Sequence, residues 1–123
     1  MQYKNVIAHL VNWLNDYCEQ SKMNGFVIGI SGGIDSAVTS TLCALTGKEV
    51  VCLNLPIHQG KAEYSRAHEH IEWLKKTHQN IRSYEVNLSS VFTETEKTFP
   101  AEIQDHLTLA NTRSRLRMLT LYA

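Results

Sequence analysis

The sequence has no excess of charge, because twelve Lys and Arg residues balance twelve Asp and Glu residues in a chain of 123. A neutral chain has no overall field to recruit nucleic acid or an anionic membrane. It also lacks any apolar run approaching the roughly 20 residues of a membrane-spanning helix. At the N-terminus, Gln2, Lys4 and Asn5 interrupt the apolar residues, which is unlike a secretory signal. We therefore expect neither a nucleic-acid partner nor a membrane partner.

Cysteine is also scarce, since only Cys18, Cys43 and Cys52 occur and no C-x-x-C pair is present. An odd number of cysteines without such spacing argues against a disulfide framework, and we expect buried thiols in a reducing cytoplasm. The six histidines show no metal-ligand spacing either. His68 and His70 lie about 200° apart around their predicted helix, so they cannot bind one ion together. We expect ordinary surface or edge histidines.

The hydrophobic pattern alternates short apolar strands with helices, over a length that suits one compact domain. It predicts strands over residues 26–30, 49–55 and 82–88, and helices over residues 2–21, 37–45, 61–77 and 110–123. Gly47 would end the second helix, and Pro56 would end the second strand. Continuous apolar strands that follow helices favour a parallel sheet with helices on both faces, so we expect a three-layer α/β, Rossmann-like fold.

Two of these helices have a clear apolar face, whereas one later segment has no clear pattern. The face of the first helix would pack on the sheet or on a partner subunit, and it consists of Val6, Ile7, Leu10, Val11, Leu14 and Cys18. The inner face of the third helix consists of Ala67, Ile71 and Leu74. Residues 89–107 are polar, rich in threonine and broken by Pro100, and we expect them to form a mobile excursion over the site.

The chemistry of the chain is concentrated where the first strand meets the second helix. The candidate site there consists of Gly29, Ile30, Ser31, Gly32, Gly33, Ile34, Asp35 and Ser36. A strand, a glycine turn and a helix together aim free backbone N–H groups at a phosphate, and the helix N-terminus adds roughly half a positive charge. Asp35 can bind a Mg²⁺ ion that bridges phosphate oxygens; alternatively, it only caps the helix.

Three better-known motifs have patterns similar to this loop, but none of them explains it. A Walker A loop needs a lysine after its last glycine, and none follows Gly33. The dinucleotide pattern G-x-G-x-x-G fails because Ser31 stands where its second glycine belongs. The G-x-S-x-G nucleophile elbow does match around Ser31, but this serine follows the first predicted strand, so no earlier strand can supply an oxyanion hole. We therefore interpret the stretch as a phosphate loop.

The last predicted helix has three arginines on two different faces. At about 100° per residue, Arg113 and Arg117 share one face, which we expect to be the solvated side. Arg115 falls between Leu119 and Tyr122 in an apolar arc, where an unpaired charge is costly. Its partner is either an internal carboxylate or the phosphate or carboxylate of a ligand, and the pattern favours neither.

Two stretches resemble known protein families. Residues 31–36, Ser-Gly-Gly-Ile-Asp-Ser, resemble the PP-loop of the N-type ATP pyrophosphatases. Residues 109–118, Leu-Ala-Asn-Thr-Arg-Ser-Arg-Leu-Arg-Met, are similar to the Gly-Asn-x-x-Ala-Arg-x-Arg-Met segment of ammonia-dependent NAD synthetases. Ala110 and Ser114 depart from that segment, where the family has glycine and alanine. The resemblance runs through the whole chain and corresponds to roughly the first half of such an enzyme.

This resemblance implies an adenine nucleotide alpha hydrolase-like domain and a defined reaction. ATP would adenylylate the nicotinate carboxylate of deamido-NAD with release of pyrophosphate, and ammonia would then convert the acyl-adenylate into NAD and AMP. By the same resemblance, residues 29–36 bind ATP, Asp35 binds Mg²⁺ and Arg115 contacts deamido-NAD. The family also implies a homodimer, and the absence of a glutaminase segment in the sequence implies free ammonia as the nitrogen donor.

The resemblance is incomplete, and two other functions stay open. A later Gly-Thr-x-x-x-x-Glu strand end, which would supply a second magnesium ligand in the family, is absent. We therefore expect residues 1–123 to be the N-terminal part of one NAD synthetase domain, inactive on its own. The first alternative is a non-catalytic nucleotide-binding or dimerisation module. The second is another PP-loop enzyme, either tRNA-modifying or GMP-forming, although the neutral charge argues against a tRNA substrate.

Overall fold

In a computed structural model, which describes residues 2–58 and 60–123, helices and strands alternate as the hydrophobic pattern predicts. The elements in chain order are α1 (Tyr3–Gln20), β1 (Gly25–Ile30), α2 (Ile34–Leu45), β2 (Glu49–Asn54), α3 (Lys61–Thr77), β3 (Ile81–Glu85), α4 (Ser89–Thr98), a 3₁₀ turn (Ala101–Ile103) and α5 (His106–Tyr122). The strands form one parallel sheet in the order β1-β2-β3, in which Val27 faces Val51 and Val51 faces Arg82.

The side chains of the strands alternate between two hydrophobic cores, one on each face of the sheet. On one face, Val50 and Cys52 of β2 are completely buried, and the inner face of α3 covers them as predicted, with Ala67, Ile71 and Leu74 all buried. The core on the other face contains Leu53, Leu55, Ile57, Leu88 and Phe92, with leucines of α5 packed against it. Helices therefore cover both faces, and the three-layer α/β, Rossmann-like fold is confirmed.

The ends of two elements show how the chain turns between layers. Gly47 follows the C-cap residue of α2 with φ of +78°, in the left-handed conformation that favours glycine, and so ends the helix as predicted. β3 ends at Glu85 rather than at Leu88, which shortens the predicted strand. The reason is that the Leu88 N–H donates to the Pro56 carbonyl over 2.9 Å while its side chain enters the second core.

The prediction of a mobile excursion over residues 89–107 is wrong. α4 forms there because Phe92 is buried in the second core, so this helix has an anchor despite its polar surface. The Gln104 side-chain amide then donates to the carbonyls of Glu96 and Phe99 over 2.9 and 2.8 Å, which closes the connection. Asp105 caps α5, and the helix begins four residues earlier than position 110.

α1 is amphipathic as predicted, yet most of its apolar face is exposed. Only Cys18 is buried and Leu14 packs against the first core, whereas Val6, Ile7 and Leu10 remain exposed. The helix packs mainly on α2, and near its C-terminus the Cys18 thiol also contacts the Gly25 carbonyl at the start of β1.

The three cysteines are all buried and unpaired. Burial raises the pKa of the Cys43 thiol, and it raises the pKa of Cys52 to about 11.

Within the described parts of the chain, no helix has the length and apolar character that crossing a bilayer requires.

Candidate functional site

The predicted phosphate loop lies between the carboxyl end of β1 and the first turn of α2. Gly32 adopts φ of +85°, which L-residues with a side chain rarely adopt. Gly33 is the extended N-cap residue of α2, and no side chain caps this helix end. The first N–H groups of α2 therefore lack a side-chain acceptor at the positive end of the helix dipole, which is the arrangement that favours a bound anion.

Two serines tie the ends of this loop together. The Ser31 N–H donates to Ser36 Oγ over 3.1 Å, and the two hydroxyl oxygens are 3.2 Å apart. The Gly33 N–H donates to Ser31 Oγ, and the Ser36 hydroxyl donates to the Gly33 carbonyl, each over 3.3 Å. These bonds hold the loop in a compact ring. Phosphate oxygens can take the place of the serine hydroxyls as partners of the ring's N–H groups.

The first turns of α3 support the loop from outside. A Cβ atom at Gly32 would lie 2.7 Å from the main-chain oxygen of Glu63 and 3.4 Å from the Cβ of Arg66. The Arg66 side chain donates through Nε to the Gly32 carbonyl over 3.3 Å. Arg66 belongs to no motif and was therefore not predicted as a site residue; only the contact identifies it.

Asp35 lies in the first turn of α2 with an exposed side chain. The hypothesis that it only caps the helix is wrong, because Gly33 is the N-cap and no side-chain cap is formed. Among the described residues, its carboxylate takes part in no salt bridge. A hard cation such as Mg²⁺ prefers oxygen ligands and keeps places for phosphate oxygens and water. The donor thus fits an ion shared with a bound phosphate.

Protein side chains alone do not build a closed metal site. No group of three or more His, Cys, Asp or Glu side chains in residues 2–58 and 60–123 is placed to hold an ion. Any Mg²⁺ bound at Asp35 would therefore need most of its ligands from a phosphorylated ligand and from water.

An open cleft of about 320 Å³ adjoins the loop between the carboxyl ends of β1 and β2 and helix α5. It is lined by Gly29, Ile30, Ser31, Leu53, Leu55, Ser114, Arg117, Met118 and Leu121. A mostly apolar cleft with a few polar groups is typical of sites for small organic ligands. Its place beyond the carboxyl ends of parallel strands is where such sheets bind ligands.

α5 turns Arg113 and Arg117 toward the protein, which reverses the predicted solvated face. The Arg117 side chain donates through Nε to the Leu55 carbonyl over 3.1 Å, at the end of β2. The Arg113 guanidinium carbon lies 5.2 Å from the centre of the Phe92 ring, which is a cation–π arrangement. Burial lowers the pKa of the Arg117 guanidinium, and the neighbouring Arg113 charge lowers it further.

Arg115 is exposed, and so are Leu119 and Tyr122, the apolar residues expected to surround it. The helical wheel correctly placed these three residues on one face of α5, but it was wrong to predict that this face packs against the core. The reason is that the aliphatic part of an arginine side chain can cover apolar surface while its guanidinium group contacts a polar or aromatic partner. Here the partner of Arg117 is the Leu55 carbonyl, and that of Arg113 is the Phe92 ring. Arg115 does not line the cleft beside the loop. Its contact with a ligand stays a prediction.

The chain is similar to known proteins over its whole length. A sequence model described as NAD synthase matches residues 6–123. The NH(3)-dependent NAD(+) synthetase of Malacoplasma penetrans is 35% identical over 98% of this chain and 46% of its own length.

Two solved structures are similar to this fold. An NH3-dependent NAD synthetase from Campylobacter jejuni has a TM-score of 0.87 at 28% identity, over 99% of this chain and 51% of that one. An NMN synthetase from Francisella tularensis has a TM-score of 0.83 at 34% identity, over 99% of this chain and 49% of that one. The chain thus spans about half the length of the relatives that it matches.

Proposed function

Because the chain belongs to the NAD synthase family, we propose that residues 1–123 form the N-terminal part of an ammonia-dependent NAD synthetase domain. The complete domain would convert deamido-NAD, ATP and ammonia into NAD, AMP and pyrophosphate. The observation that carries the proposal is the loop of residues 31–36. Its positive-φ Gly32 and the open N-terminus of α2 suit a phosphate group.

The proposed reaction needs no covalent nucleophile from the protein. An oxygen of the nicotinate carboxylate attacks the α-phosphorus of ATP, and the bond to the β-phosphate oxygen breaks as pyrophosphate leaves. Ammonia then attacks the acyl carbon, loses a proton and displaces AMP. The loop contributes by orienting the triphosphate and by stabilising the negative charge that develops on the leaving pyrophosphate.

Each part of the loop has a role in this proposal. The N–H groups of residues 31–36 and the hydroxyls of Ser31 and Ser36 bind the β- and γ-phosphates, and Gly29 and Ile30 shape the entry to the loop. Asp35 would hold a Mg²⁺ ion that neutralises phosphate charge. The apolar cleft between β1, β2 and α5 is continuous with the loop through Ser31 and would receive the adenosine part of ATP.

The exposed side of α5 is the proposed contact for deamido-NAD. Arg115 can offer a charge to the phosphates of the dinucleotide, and Leu119 and Tyr122 can offer apolar surface to its rings. We also propose a homodimer. The exposed apolar residues of α1 and those of α5 lie on opposite faces of the sheet and offer two candidate interfaces, of which the one on α5 is close to the proposed dinucleotide contact. Sedimentation of the chain over a concentration series tests this dimer. We place the protein in the cytoplasm because its three cysteines are unpaired.

Calorimetry of the 123-residue chain tests the proposal. We expect binding of Mg²⁺ with α,β-methylene ATP, which cannot release pyrophosphate, and separate binding of deamido-NAD. Arg115→Ala should weaken binding of deamido-NAD and leave the ATP analogue unchanged. Lack of binding of the ATP analogue would contradict the proposal. If Arg115→Ala lost affinity for both ligands equally, this arginine would have a role in folding.

A closely related reaction is a second candidate. The Francisella tularensis structure, 34% identical to this chain, is that of an NMN synthetase. The acid substrate could accordingly be the mononucleotide rather than the dinucleotide. Titrating nicotinate mononucleotide beside deamido-NAD separates these possibilities, because the correct substrate should bind more tightly. A tRNA-modifying or GMP-forming PP-loop enzyme has no comparable support, whereas a non-catalytic module would bind ATP without any affinity for either acid.

A further inference from the structure

The peptide bond between Gly32 and Gly33 is the flexible point of the phosphate loop. A peptide between two glycines has few steric limits, so it can rotate and turn its N–H group away from a ligand. The bond is trans in this chain, and the C=O and N–H groups of a trans peptide point in opposite directions. Whatever fixes the Gly32 carbonyl therefore also fixes the direction of the Gly33 N–H.

Arg66 fixes this carbonyl from outside the loop. Its Nε donates to the Gly32 carbonyl over 3.3 Å, while the Gly33 N–H points the other way and donates to Ser31 Oγ over 3.3 Å. Among the described residues, no carboxylate forms a salt bridge with Arg66. Its guanidinium is therefore committed to the loop rather than to an ion pair.

We infer that Arg66 is a positioning residue for phosphate binding, which holds the Gly32–Gly33 peptide so that the Gly33 N–H faces the bound phosphate. This inference rests on the proposed function of the loop. A charged donor suits the role because its hydrogen bond to a carbonyl is stronger than that of a neutral one. A loop that is held in this orientation before the ligand arrives loses less entropy on binding.

Titration of the 123-residue chain with inorganic pyrophosphate in excess Mg²⁺ tests the inference. Arg66→Met keeps the aliphatic stem but removes the donor, and we expect its Kd for pyrophosphate to rise about tenfold. Arg66→Lys restores a charged donor and should recover most of the affinity. The matched control is Arg82→Met, which removes an arginine bonded to Glu49 at the other end of the sheet and should bind like the wild type.

The amide resonance of Gly33 separates positioning from a simple charge effect. In the ligand-free protein, we expect this ¹H–¹⁵N signal to shift in Arg66→Met and to move back toward the wild-type position in Arg66→Lys, with an unchanged circular dichroism spectrum. Weaker binding without a shift of this signal would overturn the positioning role in favour of direct attraction. Equal weakening by Arg82→Met would overturn it as a general charge effect.

The outcomes for this inference and for the proposed function are distinct. If the wild-type chain binds pyrophosphate and Arg66→Met binds it equally well, the inference fails and the proposed function stands. If the wild-type chain binds neither pyrophosphate nor the ATP analogue, the proposed function fails and the inference fails with it.

Discussion

Gly32 lies so close to α3 that a methyl group in place of its hydrogen would come within 2.7 Å of the main-chain oxygen of Glu63. This contact joins the phosphate loop to the start of a helix that comes about thirty residues later in the chain. The same glycine holds φ of +85°, so both its backbone conformation and its surroundings exclude a side chain. The loop and the first turns of α3 thus form one structural unit.

Gly32→Ala should damage both the fold of the loop and its binding. The left-handed backbone costs an L-residue roughly 1–2 kcal/mol, and overpacking against α3 adds about 1–3 kcal/mol. We expect the free energy of unfolding, measured in urea, to fall by roughly 2–5 kcal/mol, and pyrophosphate binding to be lost. Gly60→Ala is the control, because Gly60 has negative φ and no heavy atom within 4 Å of an added Cβ. Equal stability of the two variants would contradict this account.

Asp35→Asn should separate metal-dependent from metal-independent binding. The amide keeps the shape of the carboxylate but is a poor Mg²⁺ ligand, so affinity for the ATP analogue in Mg²⁺ should fall by about tenfold, the effect of losing roughly 1.4 kcal/mol. Without Mg²⁺, the variant should bind the analogue at least as well as the wild type, because one negative charge near the phosphates is gone. Calorimetry with and without Mg²⁺ measures both effects. An equal loss under the two conditions would argue against a metal role.

The two faces of α5 predict opposite effects for neighbouring arginines. Arg117 is half-buried and donates to the Leu55 carbonyl, so Arg117→Ala should lower the free energy of unfolding by about 1–2 kcal/mol. Arg115 is exposed, and Arg115→Ala should change stability by less than about 0.5 kcal/mol. Urea unfolding of both variants checks this difference. If Arg115→Ala lost more stability than Arg117→Ala, the face predicted from the helical wheel would be the buried one after all.

The strand, loop and helix around the site could be predicted because their signals are local. The apolar run of β1, the two glycines after it and the inner face of α3 each lie within one short segment, and α3 was predicted to the residue. α4 could not be predicted, since its anchor is essentially the single residue Phe92. The role of Arg66 depends on a partner 34 positions away, and no pattern in the sequence records such a contact.

The orientation of α5 could not be predicted for a different reason. A helical wheel ranks side chains by polarity, and it therefore placed Arg113 and Arg117 in solvent. In the folded chain both arginines are half-buried: Arg113 lies over the Phe92 ring, and Arg117 donates to the Leu55 carbonyl. The apolar face that includes Leu119 is left exposed instead. Polarity predicts which residues share a face of a helix, but the residues of the elements that pack against the helix decide which face is buried.

Acid should destabilise the protein through His70. Its Nε2 lies 2.9 Å from the Oγ of fully buried Ser40; burial lowers the pKa of His70, which the Ala37 carbonyl opposes only in part. A lowered pKa means that the folded chain binds fewer protons than the unfolded chain in acid. The stabilising contribution is therefore complete above the ordinary histidine pKa of 6.5 and is lost as the pH falls through the lower folded value.

Urea unfolding at pH 7 and at pH 5 measures this effect. The free energy of unfolding of the wild type should fall between the two, and His70→Asn should show a smaller fall. His9→Asn, at an exposed position on α1, should behave like the wild type. If His70→Asn lost as much stability as the wild type over this range, another group would have to be responsible.

The 123-residue chain should bind nucleotide without detectable turnover. The loop that would hold the departing pyrophosphate is complete, but the chain spans about half the length of its relatives, 46% of the one from Malacoplasma penetrans. A reaction that depends on positioning and charge stabilisation loses rate steeply when part of the site is missing, because the reacting atoms are no longer held together. We expect no NAD above background when the chain is incubated with deamido-NAD, ATP, Mg²⁺ and ammonium, while calorimetry in the same buffer detects ATP binding. If the purified wild-type chain formed NAD and Gly32→Ala abolished this activity, the expectation would be contradicted. Residues 1–123 alone would then suffice for the chemistry.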